Sequence, residues 1–283
     1  PFPKKQLFPF VKKAMYRKID RRPDTVEFAD LMRQPADGPL ENKAALDAVG
    51  AHLYTGGTTG PSKGAMITHR NMSFNTQQLR RWFHDLRDGE ERELAVFPFF
   101  HSAGFTGVQN MCVLSGWTNV LVPRPEPGVI VETLKKSKPT LLPGVPTIYV
   151  GLLADERFTS MDLSFIKGFV AGAAPLPLEE IQRLEGLTGG TMLNVYGLTE
   201  ISPMGTATPW KGLNKPGTVG VPLPNTDVRL VDLETGTREV PLGEPGEVCF
   251  KGPQVMAGYH KKPEETAATI RDGWLYTGDI GVM

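Results

Sequence analysis

The stretch from Tyr54 to Gly64, Tyr-Thr-Gly-Gly-Thr-Thr-Gly-Pro-Ser-Lys-Gly, constrains the fold most. The apolar run Ala51–Tyr54 before it reads as a short strand. After it, Thr68 is a good helix N-cap ahead of a helical stretch from His69 to Phe83. A strand, a glycine-rich turn and a returning segment can wrap an anion. Glycine reaches φ > 0 and lets backbone approach a ligand, and successive N–H groups form a concave nest. Lys63 adds a point charge suited to phosphate. Taken alone, such a Gly/Thr/Ser cluster is an ordinary surface loop. A Walker-type loop is excluded by spacing, because Gly64 and not Ser/Thr follows the lysine.

Composition narrows the classes. The chain has 283 residues, no net charge, 40% hydrophobic and 22% charged residues, as expected of a globular protein. The neutral balance gives no drive toward nucleic acid. The high counts of 31 glycines and 25 prolines predict many loops. Cys112 and Cys249 are far apart without nearby Cys/His partners, which argues against a zinc site or disulfide framework and for a reducing, cytoplasmic compartment. No apolar run approaches the ~18 residues of a membrane span. The basic amphipathic segment Leu7–Tyr16 leaves peripheral membrane contact open, although a solvated helix is the simpler reading. A chain starting at Pro1 and stopping at Met283 reads as part of something larger.

From Glu93 the pattern alternates strand and helix, as in a largely parallel sheet. Strands are expected at Leu94–Phe97, Asn119–Val122, Thr140–Leu142, Ile166–Val170 and Met192–Val195. Helices are expected at Gly107–Leu114, Val129–Ser137, Pro146–Leu153 and Pro177–Leu187, with a short one at Phe28–Met32. Past Lys211 the helices thin out. Strands at Thr226–Val231 and Gly246–Phe250, with one helix at Pro263–Ile270, suggest a small barrel or sandwich. The expected fold is therefore α/β, with parallel-sheet subdomains and a small β-barrel-like unit. Its expected divisions are 1–90 with the phosphate loop, 91–211 with the ligand sites, and a β-rich 212–283.

Three strand ends and one turn carry residues able to do chemistry. Tyr196-Gly197-Leu198-Thr199-Glu200 follows a strand directly, where open parallel sheets bind ligands. A tyrosine there can stack on a base, a threonine can donate to phosphate, and a glutamate can hold Mg²⁺. Ala171-Gly172-Ala173-Ala174-Pro175 has small residues that admit a flat ring. His101, within Phe97-Pro98-Phe99-Phe100-His101-Ser102-Ala103-Gly104-Phe105, sits among aromatics. Asp279, in Gly273-Trp274-Leu275-Tyr276-Thr277-Gly278-Asp279, can bond a diol or simply close a hairpin.

In this order and spacing, the segments resemble those of the adenylate-forming superfamily, which contains acyl-CoA synthetases, luciferases and peptide-synthetase adenylation domains. Gly217-Thr218-Val219-Gly220-Val221-Pro222 resembles a further run of that family. Pro61-Ser62 departs from the family's x-Pro and resembles the long-chain acyl-CoA synthetase branch. The resemblance implies nucleotide contacts from Thr55, Gly56, Gly57, Thr58, Thr59, Gly60, Ser62 and Lys63. It implies an adenine site at Ala173, Ala174, Asn194, Tyr196 and Gly197, phosphate contact from Thr199, and ribose contact from Asp279. Mg²⁺ falls to Thr55 and Glu200, the acyl pocket to His101 and Phe105, and catalysis to Lys63, His101, Thr199 and Glu200.

The implied activity is AMP-forming ligation of a long-chain fatty acid to CoA with ATP and Mg²⁺. An acyl-AMP ligase, a peptide-synthetase domain and a non-catalytic nucleotide-binding piece stay open as alternatives. The resemblance further implies that a mobile C-terminal domain and part of an N-terminal sheet lie outside this chain. A cut sheet of that kind is expected to self-associate.

Overall fold

The computed structural model describes residues 25–33, 38, 41, 43–55 and 62–283. The chain divides into two units at Lys43/Ala44. In the first, the described structure is a single helical turn, Phe28–Leu31, at the expected place. The Leu7–Tyr16 helix and Gly56, Gly57, Thr58, Thr59 and Gly60 lie outside the described residues.

The second unit is built on a seven-stranded sheet. Its strands are β3 (Arg92–Ala95), β4 (Thr118–Leu121), β5 (Leu141–Gly144), β6 (Gly168–Ala171), β7 (Thr191–Tyr196), β8 (Thr206–Ala207) and β9 (Val221–Pro222), ordered β4-β3-β5-β6-β7-β8-β9. The first five are mutually parallel; β8 and β9 close the edge antiparallel. Strand residues alternate between two cores, as the two-residue period of a strand requires. Leu94, Leu142, Phe169 and Met192 pack against helices Pro127–Ser137, Pro146–Leu153 and Leu178–Thr188. Leu141 and Leu193 face the other way, in a core with Leu79, Phe83, Trp117 and Trp210.

Helix His69–Trp82 covers that second face. Thr68 caps it with a reciprocal box: the Asn71 N–H donates to Thr68 Oγ1 at 3.1 Å, and the Thr68 N–H donates to Asn71 Oδ1 at 2.9 Å. The Asn71 amide also donates to the Pro253 and Val255 carbonyls, both at 2.8 Å, and the Gln78 amide to Pro224 O at 2.6 Å. These buried amides tie the helix to distant loops.

The glycine-rich loop joins two paired strands. β1 (Val49–Thr55) and β2 (Lys63–Thr68) form an antiparallel hairpin whose last pair is Thr55 with Lys63. The second strand was not expected from its sequence. It is extended by a third stretch: Met66 N–H donates to Gly258 O, and His260 N–H to Gly64 O, each at 2.8 Å. The hairpin shares a core with Ile201, Phe250, Met256, Tyr259 and Leu275. Phe250 and Leu275 come from a four-stranded antiparallel sheet ordered β10-β11-β13-β12, with β10 Asp227–Val231, β11 Pro245–Lys251, β12 Ile270–Arg271 and β13 Trp274–Val282.

The expected helix at Gly107–Leu114 differs most. Ala103–Asn110 is π-helical, and α-helix resumes over Met111–Ser115. A π-helical turn inserts one residue per turn and often marks a functional site. Here it begins directly after His101-Ser102, and Gly104 permits it: a Cβ there would overlap the Pro98 carbonyl. Among the described residues no helix is long and apolar enough to cross a membrane.

Candidate active site

A cavity of about 410 Å³ opens at the carboxyl ends of the parallel strands, on the face covered by helix His69–Trp82. Parallel strands present their C-terminal ends together, so residues distant in sequence meet there. Thr55, His101, Ser102, Ala173, Thr199 and Glu200 all line it.

At the hairpin end, Ser62 Oγ donates to Thr55 O at 2.7 Å, and Thr55 Oγ1 donates to Lys63 O at 3.4 Å. The Lys63 ammonium stands 4.5 Å from the centroid of the Tyr259 ring. The Tyr259 hydroxyl donates to Glu200 Oε1 at 2.7 Å, with both residues buried. Tyr259 therefore links Lys63 to Glu200. It was missing from the sequence-derived site, because nothing local distinguishes this tyrosine in a Gly/Pro-rich stretch.

Tyr196 is half-buried, its ring centroid 5.8 Å from that of Phe250. Burial raises its phenol above the ordinary value, and its hydroxyl donates to Asp279 Oδ2 at 2.7 Å. The β11–β13 register slips between Glu247 and Cys249, leaving a bulge at Thr277-Gly278-Asp279. Gly278 takes φ +78°, its N–H donates to Glu247 Oε1 at 2.9 Å, and Thr277 Oγ1 donates to Val248 O at 2.8 Å. Bulges re-aim side chains; this one turns Asp279 toward Tyr196. The residue expected to close a hairpin or hold a diol thus sits on a strand.

Thr199 and Ser102 hydroxyl oxygens lie 3.4 Å apart. Ser102 is buried and lines the cavity, a contact that sequence reading left unassigned. His101 Nδ1 accepts the Ala103 N–H at 3.1 Å, which leaves Nε2 as the donor of a neutral ring. The ring is exposed at the mouth, yet enough of it is desolvated to lower its pKa.

Other expected residues stand further off. Ala173 lines the cavity in a left-handed conformation, φ +68°, where a glycine would be unstrained. Ala174 is exposed and outside the cavity lining. Asn194 has its N–H and C=O paired with Thr208 across the sheet. Phe105 packs beside Tyr196 and Leu198 against the hairpin core and is not part of the lining.

The donor set suits a cation carried largely by its ligand. Among the described residues no three His, Cys, Asp or Glu side chains gather to hold a metal. The Glu200 carboxylate and the Thr55 hydroxyl both line the cavity. Mg²⁺ is usually held by one or two carboxylates plus substrate phosphates and water, so these residues fit it.

Glu93 also lines the cavity and was not anticipated as a site residue. It is 4% exposed on β3, and burial pushes its carboxyl up to about 8. Between the ordinary carboxyl value and about 8, the folded state holds a proton that the unfolded state has released. Stability must fall as pH rises through that window, by about 1.4 kcal/mol per pH unit. In the full-length protein, Glu93→Gln should abolish this contribution. Urea unfolding at about pH 5.5 and about pH 7.5 should show wild type losing roughly 2–3 kcal/mol relative to the variant. A constant difference would mean that Glu93 is ionised in the folded protein.

Comparison with known proteins gives a consistent picture. A family model described as AMP-binding enzyme matches residues 9–260. The chain is 43% identical over 292 residues to a long-chain-fatty-acid–CoA ligase of Bacillus subtilis (strain 168), covering 100% of this chain and 51% of that protein. It is 36% identical over 261 residues to a feruloyl-CoA synthase of Amycolatopsis, covering 89% and 52%. Among solved structures it resembles ATP-bound MatB from Rhodopseudomonas palustris, with TM-score 0.78, 34% identity, and coverage of 84% and 46%. It also resembles the Bacillus subtilis o-succinylbenzoate CoA synthetase in complex with ATP and magnesium ion, with TM-score 0.77, 26% identity, and coverage of 90% and 52%. The chain spans about half the length of the curated relatives it matches.

Proposed function

The chain belongs to the AMP-binding enzyme family, and we propose that the full-length protein is an AMP-forming acid–CoA ligase acting on fatty acids. The observation that carries this reading is the convergence of Thr55, His101, Ser102, Thr199 and Glu200 on one cavity, with Tyr196 bonded to Asp279 beside it. Such a set suits a reaction in which positioning and charge neutralisation are the main tasks.

In this reading a substrate carboxylate attacks the α-phosphorus of ATP and pyrophosphate leaves. A CoA thiol then attacks the acyl carbon and AMP leaves. Tyr196 offers its ring face to adenine, while its hydroxyl steadies Asp279 for the ribose diol. Thr199, backed by Ser102, donates to the α-phosphate. Lys63 and the loop preceding it hold the outgoing phosphates. His101, neutral with Nε2–H free to donate, orients the substrate at the mouth. Thr55 and Glu200 would hold Mg²⁺, which neutralises phosphate charge when bound. Fatty acids are favoured over other acids by the largely apolar lining and by the similarity to long-chain-fatty-acid–CoA ligases.

The test is an acid panel with the full-length protein, reading pyrophosphate release with ATP and then thioester formation on adding CoA. Pyrophosphate without thioester would indicate an acyl-AMP ligase. No pyrophosphate with any acid would overturn the reading.

Tyr196 gives a finer check. Tyr196→Ala should raise the KM for ATP about two- to tenfold, the ~0.5–1.5 kcal/mol of a lost aromatic contact, with little change in the KM for acid. Tyr196→Phe keeps the ring and removes the bond to Asp279, so it separates stacking from carboxylate positioning. An unaltered ATP KM in Tyr196→Ala would remove this residue from the nucleotide site.

A further inference from the structure

The deep part of the cavity holds a polar group that the proposed chemistry does not use. Glu93 lies on β3, several residues before Phe97, which lines the same cavity. Strand rise places it roughly 10–13 Å below that point, away from His101 and Thr199. Around it the lining is apolar, with Leu79, Phe83, Val108, Val170 and Leu193.

Glu93 is only partly satisfied. Oε2 accepts the weak S–H donor of Cys112 at 3.4 Å. Among the described residues Oε1 has no hydrogen-bond partner, and no cation pairs with the carboxyl. Asn119, its register partner on β4, is not part of the cavity lining, so Glu93 is the polar group that a bound chain would meet here. Burial holds the Glu93 carboxyl in its protonated form at neutral pH. It then offers one O–H donor and a free acceptor to the cavity.

A methyl-ended chain reaching this depth would cover those groups and satisfy none of them. Leaving a buried hydrogen-bonding group unmade is costly. A cation there would require a buried ion pair, which repays its desolvation only with good geometry. A neutral hydroxyl can accept from the carboxyl and donate to an acceptor at once.

We propose that Glu93 is a specificity residue of this cavity, selecting carboxylic acids whose distal end carries a neutral hydroxyl over methyl-ended acids of the same length. The proposal rests on the acid-activating reading above and adds the substrate class.

The test uses the full-length protein and a length series of straight-chain acids, each paired as ω-methyl and ω-hydroxyl forms. The readout is kcat/KM for pyrophosphate release. At the length that reaches Glu93, wild type should prefer the hydroxyl form, and Glu93→Leu should lower that hydroxyl-to-methyl ratio roughly ten- to a hundredfold. Glu93→Gln, which still donates and accepts, should retain the preference. If Glu93→Leu fails to fold, Glu93→Met takes its place with the same expected loss of the ratio.

A wild-type ratio near one at every length would overturn the proposal, and it is the result expected if Glu93 merely holds a water. A preference that survives in Glu93→Leu would also overturn it. Pyrophosphate release without hydroxyl preference sinks this inference alone. No release with any acid sinks the ligase reading and this inference with it.

Discussion

Glu200→Gln in the full-length protein should cut turnover in pyrophosphate release by roughly a hundred- to a thousandfold and leave the fold intact. The size follows from what charge stabilisation at a phosphoryl centre supplies, several kcal/mol for a single well-placed group. An amide is a poorer Mg²⁺ ligand than a carboxylate. The fold should survive because glutamine keeps an oxygen that can accept the Tyr259 hydroxyl, now bonded at 2.7 Å. The backbone carbonyl of residue 200 still accepts the Met256 N–H at 2.8 Å. The checks are a thermal midpoint close to wild type and a magnesium titration of turnover. Near-normal turnover at low magnesium would exclude Glu200 as the metal ligand.

Gly197→Ala should have the largest effect on the architecture of the site. A Cβ at this position would overlap the Pro203 carbonyl oxygen, and it would stand 2.9 Å from Met204 Cα and 3.0 Å from Pro203 C. All three are backbone atoms, so relief requires moving the turn that carries Tyr196 on one side and Thr199 on the other. Overpacking of this kind costs about 1–3 kcal/mol or more, and activity should fall with it. Gly186→Ala is the matched control. It lies in helix Leu178–Thr188 with nothing within 4 Å of the added Cβ. There alanine should stabilise by about 0.5–1 kcal/mol. Urea midpoints of the two variants should move in opposite directions. A Gly197→Ala protein with wild-type midpoint and activity would contradict the close approach of this turn to residues 203–204.

Much of the sheet was legible because its signals are local. Pro146, Pro177 and Pro263 mark helix starts, and the apolar runs between them match buried strands of a parallel sheet. Thr68 was recognisable as a cap because capping depends on neighbours three residues apart. Strand-end segments such as Tyr196–Glu200 also stood out, since glycine and small residues cluster where backbone turns sharply. The third stretch that pairs with β2, near Tyr259, was not legible, because it lies far away in sequence. The π-helical turn at Ala103–Asn110 escaped for a similar reason, since Gly104 is required there by the Pro98 carbonyl and not by its own neighbours.

By itself, then, the sequence determined the alternation of strands and helices through the parallel sheet, the glycines at the turns and the identity of the polar residues at strand ends. These follow from short-range sterics and hydrophobic period. Only the tertiary structure decided which of those residues meet. It set Tyr259 between Lys63 and Glu200, brought Asp279 to Tyr196 across a bulge, and buried Glu93 against an apolar cavity. Contacts of that kind depend on register between distant strands, and burial is what changes a carboxylate from a solvated charge into a neutral donor.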